Sequence, residues 1–422
     1  MFSSPVRNRV EPENRPERRL FVRLPFVIPV LVSVIAVAVV AICMQLSDRL
    51  LIASRSTVIS TVADNQHQSP RPAITISQSQ EQRVKPGDAL PDTTIFDAQG
   101  QPFPTSRLNG RYSVLIFGCL TCPHFRRNVP AIESIYRDFS QKDVNIFCVY
   151  KTLAHPEFGE QAWVEPFTVE ERIKHIHVIQ GLTGATVPWL ADSMQNSLGH
   201  RLGQQPNSEF VLDPDGRILS RRDWFSPEQL RGDLEKLVGK VDQPTRPEDL
   251  NLEISIPERP AARGVLARVL LSGTGFALRI QPQTSASPFF VKLRAEVDQA
   301  ILQGRAGKMY LGFHLDPIFR THWNNLALPL SFQINASTSS IAPVTVVGPR
   351  VDIEADLDPR EFLVDVSPQF PDRSFDLVVN YTVCSDASQT CHAVTQKYVC
   401  YWELDSDAGA PLRNGVGPSV VQ

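Results

Sequence analysis

YSVLIFGCLTCPHFRRNVP, the stretch from Tyr112 to Pro130, changes character at its middle. Tyr112 to Gly118 is a short apolar run rich in branched and aromatic residues, which predicts a buried strand. Pro123 suits the first position of a helix, where a missing N–H costs least, and the expected helix runs to Ser140 with a kink at Pro130. Cys122 therefore stands where a strand hands over to a helix. Unpaired amides and the positive end of a helix dipole at such a junction favour thiolate over thiol, so Cys122 reads as a nucleophile. Cys119 precedes it at CxxC spacing.

Working outward, Val144 to Tyr150 (VNIFCVY) predicts a second buried strand with Cys148 in the core. Thr168 and Glu171 form a capping box that opens another helix, and Val187 to Asp192 is strand-like. Glu209 to Leu212 continues through the turn Asp213-Pro214-Asp215-Gly216 into Arg217 to Arg221, and Ser226, Pro227 and Gln229 cap a last helix. Strands alternating with helices over residues 85–240 predict an α/β layer structure. A linker at 241–250 separates it from residues 251–404, where β-branched runs such as Phe362 to Val366 and Phe375 to Val383 are broken by Pro, Asp, Ser and Asn. That pattern predicts an all-β, immunoglobulin-like sandwich, and residues 405–422 read as a disordered tail.

Upstream, Leu24 to Leu46 carries no charge and is long enough to cross a bilayer as one helix. Arg7, Arg9, Arg15, Arg18, Arg19 and Arg23 precede it, which keeps residues 1–23 in the cytoplasm and exports the rest. A cleaved signal peptide is the alternative. Residues 47–84 then form a flexible tether. A net charge of -3 and dispersed aromatic residues exclude a basic nucleic-acid surface, and neither a cofactor motif nor a metal-ligand spacing is present.

Of the seven cysteines, Cys43 lies in the apolar span, and Cys384 and Cys391 flank the mouth of an expected hairpin. Residues so placed are close enough to bridge, either as a structural staple or as a redox pair. Cys400 reads as buried.

FGCLTCPHFRRNVP resembles the active-site segment of the thioredoxin superfamily. PGDALPDTTIFDAQGQPF upstream, and Gln205-Pro206 before SEFVLDPDGRIL, are similar to the entry hairpin and cis-proline strand of its redoxin, TlpA-like branch. That resemblance implies Pro206 beside Cys122. In its register Phe125 takes the place of the usual resolving cysteine, and Cys119 sits one step nearer the strand, so whether Cys119 resolves Cys122 stays open. IFGCLTCPHF, VYKTLAHPEF and VPWLADSMQNSLGHRLGQQPNSEFVLDPDGRIL together resemble the iodothyronine deiodinase family over residues 86–238. Cysteine replaces selenocysteine at 122, Leu120 replaces the family's other cysteine, and Thr152 and Leu153 replace two acidic residues. The resemblance implies a soft nucleophile with His155 handling the proton; a plain surface histidine is the competing reading. The segment around Cys384 and Cys391 resembles the N-terminal immunoglobulin-like domain of the periplasmic electron carrier DsbD. Together these features imply a membrane-anchored, extracytoplasmic, thiol-dependent oxidoreductase that exchanges disulfides or reduces peroxide. It needs an external thiol donor or partner redox protein. A non-enzymatic envelope scaffold and a reductive dehalogenase are the alternatives.

Overall fold

The run Val114-Leu-Ile-Phe117 is apolar on both sides because its strand lies mid-sheet between two layers. The computed structural model describes residues 84–157, 162–203, 205–252, 261–336, 340–367 and 373–412. The basic tail, the apolar span with Cys43, and all of the tether except Val84 lie outside the described residues. Among the described residues no helix is long and apolar enough to cross a membrane.

The α/β region holds strands β1 (Thr94–Asp97), β2 (Pro102–Pro104), β3 (Ser113–Gly118), β4 (Asn145–Tyr150), β5 (Trp189–Ala191), β6 (Glu209–Leu212) and β7 (Ile218–Arg222). They form one sheet in the order β2-β1-β5-β4-β3-β6-β7. β3, β4 and β5 run parallel, while β6 and β7 close one edge antiparallel. Helices α1 (Pro123–Phe139), α2 (Val169–Thr183), α3 (Ser197–Leu202) and α4 (Pro227–Val238) connect them. Period-two alternation divides the core: Val114 and Ile116 join the cluster containing residues of α1, α2 and α4, whereas Leu115 and Phe117 join Leu198 and Leu202 of α3.

α1 runs through Pro130 to Phe139. Its buried Glu133 accepts from the Thr186 and Val187 amides, the Thr186 hydroxyl and Arg137, so it fixes α1 to the chain entering β5. Thr168 caps α2 through the Glu171 amide, as its capping box requires. At α4 that expectation is corrected. The Ser226 side chain makes no cap bond, because its amide is drawn to Glu209 and Gln229 accepts from Arg222, which also binds Glu209 and Asp233. The segment read as a linker is tied down, with Thr245 donating twice to Asp138 of α1.

The C-terminal region is strand-rich and antiparallel, with β8 (Phe276–Pro282), β9 (Val291–Val297), β10 (Gly307–Leu315), β11 (Thr321–Asn324), β12 (Ser331–Asn335), β13 (Ile341–Ala342), β14 (Thr345–Val347), β15 (Ala355–Asp356), β16 (Arg360–Val366), β17 (Ser374–Ser385) and β18 (Cys391–Leu404). The order is β13-β16-β10-β9-β8-β18-β17-β11-β15, with β12 and β14 joined beside β17. β8 pairs with β9 on one side and β18 on the other, and one apolar cluster takes residues from both arms. In β17 the alternating Phe375, Leu377, Val379, Tyr381 and Val383 point inward.

β9 is buried on both faces for different reasons. Val291, Leu293, Ala295 and Val297 fill the strand-rich core, while Lys292, Arg294 and Glu296 are also buried. Lys292 bonds to Glu171 of α2, and Arg294 to Glu157. The tail expectation fails over residues 405–412. There the chain after β18 packs on the α/β region, because Asp407 accepts from Asn196 and His200 and the Ala410 amide donates to the Ala154 carbonyl, while Arg294 and Glu296 of β9 hold Ala408, Ala410 and Leu412 from the other side. Residues 413–422 lie outside the described residues.

Candidate active site

β3 ends at Gly118, and a tight turn follows in which the Cys122 amide donates to the Cys119 carbonyl at 3.3 Å. Cys122 is the N-cap of α1, with extended backbone, Pro123 at the first helical position, and its Sγ accepting from the Phe125 amide at 3.4 Å. Gly118 has no freedom to be anything larger. A Cβ there would meet the Phe125 ring at 2.2 Å, so the residue standing in the resolving-cysteine register is an apolar plug over the strand end. Phe125 in turn meets Trp189 edge-on at 5.3 Å.

The loop after β4 supports the other sulfur. The Ala154 amide donates to Cys119 Sγ at 3.3 Å, and the His155 amide donates to Thr121 Oγ1 at 3.0 Å. His155 thus reaches the cysteine turn with its main chain, and the residue is exposed. Leu153 donates to Glu165 at 2.7 Å, and Glu165 also receives Arg172. Beneath the turn, the Tyr150 hydroxyl lies 2.8 Å from His175 Nδ1 and 3.5 Å from the Leu120 amide. Burial, with Lys292 and Arg172 adding to it, lowers the His175 imidazole to about 3, so it is neutral at ordinary pH.

Electrostatics correct one expectation. Cys122 is 2 % exposed and Cys119 1 %. Burial raises the Cys122 thiol above its ordinary value and outweighs the lowering by the Phe125 and His124 amides and by Lys151; Cys119 adds to the rise. The helix terminus acts in the expected direction, but desolvation is larger. Lys151, buried just past β4, is lowered by that burial against the opposing pull of Cys119, Asp407, Glu165 and Asp192.

The Gln205–Pro206 bond departs from the cis-proline strand that its segment resembles. Among the described residues the one cis peptide is Ala342–Pro343, so the Gln205–Pro206 bond is not cis. The next residue does the anchoring: Asn207 Nδ2 donates to the Phe117 carbonyl at 3.1 Å and Asn207 Oδ1 accepts from Asn128 at 3.3 Å. Further away, Cys384 and Cys391 are cross-strand partners joined by a disulfide, and Cys148 and Cys400 are fully buried thiols. Among the described residues no group of His, Cys, Asp and Glu could hold a metal ion.

Thr121, Tyr150, Lys151, Asn207 and Asp407 were not singled out by sequence reasoning. Tyr150 and Lys151 lie at the end of a strand the sequence did mark, and position on a strand terminus was the available signal.

Residues 86–221 match the model of the AhpC/TSA family, about a third of the chain. No curated protein matches. Among solved structures, the thioredoxin domain of a thiol-disulfide oxidoreductase from Bacteroides vulgatus is 18% identical with a TM-score of 0.29, covering 37% of this chain and 99% of that one. A thiol:disulfide interchange protein from Bacteroides sp. is 17% identical with a TM-score of 0.29, covering 38% and 94%. The exposed lipoprotein thioredoxin of Streptococcus pneumoniae is 16% identical with a TM-score of 0.27, covering 35% and 99%. What the chain is similar to, over residues 86–221, is the AhpC/TSA family.

Proposed function

We propose that the α/β region is a thiol–disulfide oxidoreductase in which Cys122 is the nucleophile and Cys119 the resolving thiol. The observation that carries this reading is the pair of amides on the two sulfurs: Phe125 on Cys122 at the helix start, Ala154 on Cys119 across the turn. The Cys122 thiolate attacks a substrate disulfide, forming a mixed disulfide and releasing one substrate thiolate. Cys119 then attacks Cys122 Sγ, forming the Cys119–Cys122 bond and releasing the second thiolate. Two electrons pass from the dithiol to the substrate, and an external thiol donor or partner redox protein restores it. Because burial raises the Cys122 thiol, the reduced form gains little from thiolate stabilisation, which favours a reductant over an oxidant. Peroxide reduction through the same sulfur, and a deiodinase-like variant using His155, are finer versions of this chemistry. The apolar span at Leu24 to Leu46 and the Cys384–Cys391 disulfide support a tethered protein in an oxidising compartment.

The near-complete burial of both sulfurs favours a second reading, a scaffold that binds without turnover. Reduction of a small aromatic disulfide by the full chain decides between them. We expect Cys122→Ser to abolish reduction, and the wild-type rate to rise roughly tenfold per pH unit from neutrality toward the thiol's raised value. Undiminished reduction by Cys122→Ser would leave the scaffold reading standing.

A further inference from the structure

Ala154 links two bonds. Its amide donates to Cys119 Sγ at 3.3 Å, and its carbonyl accepts from the Ala410 amide at 2.9 Å. A single peptide residue therefore connects the resolving sulfur to a segment that follows the last strand of the C-terminal region.

That segment, Asp405 to Leu412, is anchored at both ends. Asp407 accepts from His200 of α3 at 2.9 Å and from Asn196, the N-cap of that helix, at 2.9 Å. Arg294 of β9 donates to the Ala408 and Ala410 carbonyls at 3.0 and 3.1 Å, and the Leu412 amide donates to Glu296. Between the anchors, Gly409 has φ of +70°, and a Cβ there would meet the Leu153 carbonyl oxygen at 2.5 Å, Pro156 at 2.6 Å and the Ala154 carbonyl oxygen at 3.1 Å. Both the left-handed backbone and the backbone-to-backbone approach demand glycine. Two of the three contacts are main-chain atoms, which cannot rotate away as a side chain would.

We propose that the strap Asp405 to Leu412 is a positioning element of the redox site: by holding the Leu153–Pro156 loop it keeps the Ala154 amide on Cys119 Sγ, and so sets the rate at which Cys119 resolves a mixed disulfide on Cys122. The proposal rests on the thiol-exchange reading above. It makes Gly409 and Asp407 positioning residues contributed by the β-rich region to chemistry carried by the α/β region. The strap acts on the second half-reaction, since its contact is with Cys119 through Ala154, while Cys122 takes its amide from α1.

The test separates the two half-reactions in the full-length chain with Cys119 and Cys122 reduced, in a Cys43→Ser, Cys384→Ser, Cys391→Ser background that removes the thiol of the apolar span and the hairpin disulfide that reductant would open into a second dithiol. Dithiobis-nitrobenzoate is attacked by the Cys122 thiolate, forming a mixed disulfide and releasing one coloured thionitrobenzoate. Attack by Cys119 on Cys122 Sγ releases the second, and the Cys119 proton passes to buffer. Stopped-flow absorbance resolves the two. For Gly409→Ala we expect the second phase to slow about tenfold, the effect of losing one well-placed hydrogen bond, while the first stays within about twofold. Asp407→Ala, which leaves the glycine in place, should slow the second phase likewise. Asp407→Asn, which keeps an acceptor for Asn196 or His200, should recover part of the rate. A general loss of structure would move both phases together, and near-ultraviolet circular dichroism checks each variant. Two phases in the wild type with no selective slowing in either Gly409→Ala or Asp407→Ala would overturn the strap's role. Faster phases in those variants would make the segment a cover and overturn it equally. A wild type that releases a single equivalent would overturn the resolving role of Cys119, and the strap proposal with it.

Discussion

Gly118→Ala is the sharpest single perturbation of the site, because the added methyl has nowhere to go. Its carbon would lie 2.2, 2.4 and 2.6 Å from three atoms of the Phe125 ring, where carbon atoms in contact normally stand about 3.5–4.0 Å apart. The ring must retreat by more than an ångström, yet Phe125 is fully buried and set edge-on to Trp189. Overpacking of this kind costs about 1–3 kcal/mol, and loss of the aromatic pair adds about 0.5–1.5 kcal/mol. The expected destabilisation is therefore about 2–4 kcal/mol, or about 5–15 °C in the melting of a region this size. Scanning calorimetry of the full chain, followed through the α/β transition, reads it. Movement of Phe125 also carries its amide off Cys122 Sγ, so thiol attack should change alongside stability. The double variant Gly118→Ala with Phe125→Leu supplies the control, since a smaller, more flexible side chain relieves the clash. The double variant should lose clearly less than the sum of the single losses. A Gly118→Ala protein within about 0.5 kcal/mol of wild type, or strict additivity in the double variant, would refute the steric argument.

Removing the Glu133 carboxylate with Glu133→Ala strands the buried Val187 amide and deprives Thr186 and Arg137 of their acceptor, so a loss of about 3–5 kcal/mol is expected in urea unfolding. Burial would raise this carboxyl, but the bonds from Thr186, Arg137 and Val187 together bring it below its ordinary value. Its contribution is thus present above pH 4.5 and lost as pH falls through the depressed value, and the variant should show a flatter acid limb. Asp316 behaves oppositely. Burial raises it to about 7 despite Lys292, so the folded state holds its proton more tightly and stability falls as pH rises from 3.8 toward 7. Asp316→Asn should remove part of that slope in melting curves taken across the same range; an unchanged slope would assign it to other groups.

The α/β order was legible because its strands are short, apolar and bounded by turn chemistry. β6 matches its expected bounds, and β3 and β4 lose one residue each. The Thr168 cap was legible for the same local reason, whereas at Ser226 the cap position holds but its side-chain bond is not made, because the Ser226 amide goes to Glu209, which a strand pairing brings alongside and no helix-start pattern encodes. Cys122 could be placed at a helix start from Pro123 alone. Its ionisation could not, because desolvation depends on what packs over the sulfur, and residues such as Leu153 and Ala154 come from another strand's loop. Asp405 to Leu412 was illegible altogether. A stretch rich in Asp, Ser, Ala and Gly carries no periodicity, and its order comes from His200, Asn196 and Arg294, each more than a hundred residues away.

The contact between the two regions explains why β9 spends three alternating positions on charge. Lys292 serves Glu171 and Asp316, Arg294 serves Glu157 and Glu296, and all six side chains are buried. Apolar residues of equal volume would stabilise such a contact as well or better, since desolvation consumes much of the Coulombic gain. Apolar surfaces, however, tolerate sliding, and the strap does not: a shift of about an ångström would break the Ala410–Ala154 hydrogen bond, and Gly409 lies too close to the Leu153 and Ala154 carbonyl oxygens to leave room even for a Cβ. Directional ion pairs with fixed partners set the register that such an approach requires. On this argument the charges of β9 and the glycine of the strap are one device, and a charge-to-apolar triple replacement in β9 would keep the regions together while loosening the amide on Cys119.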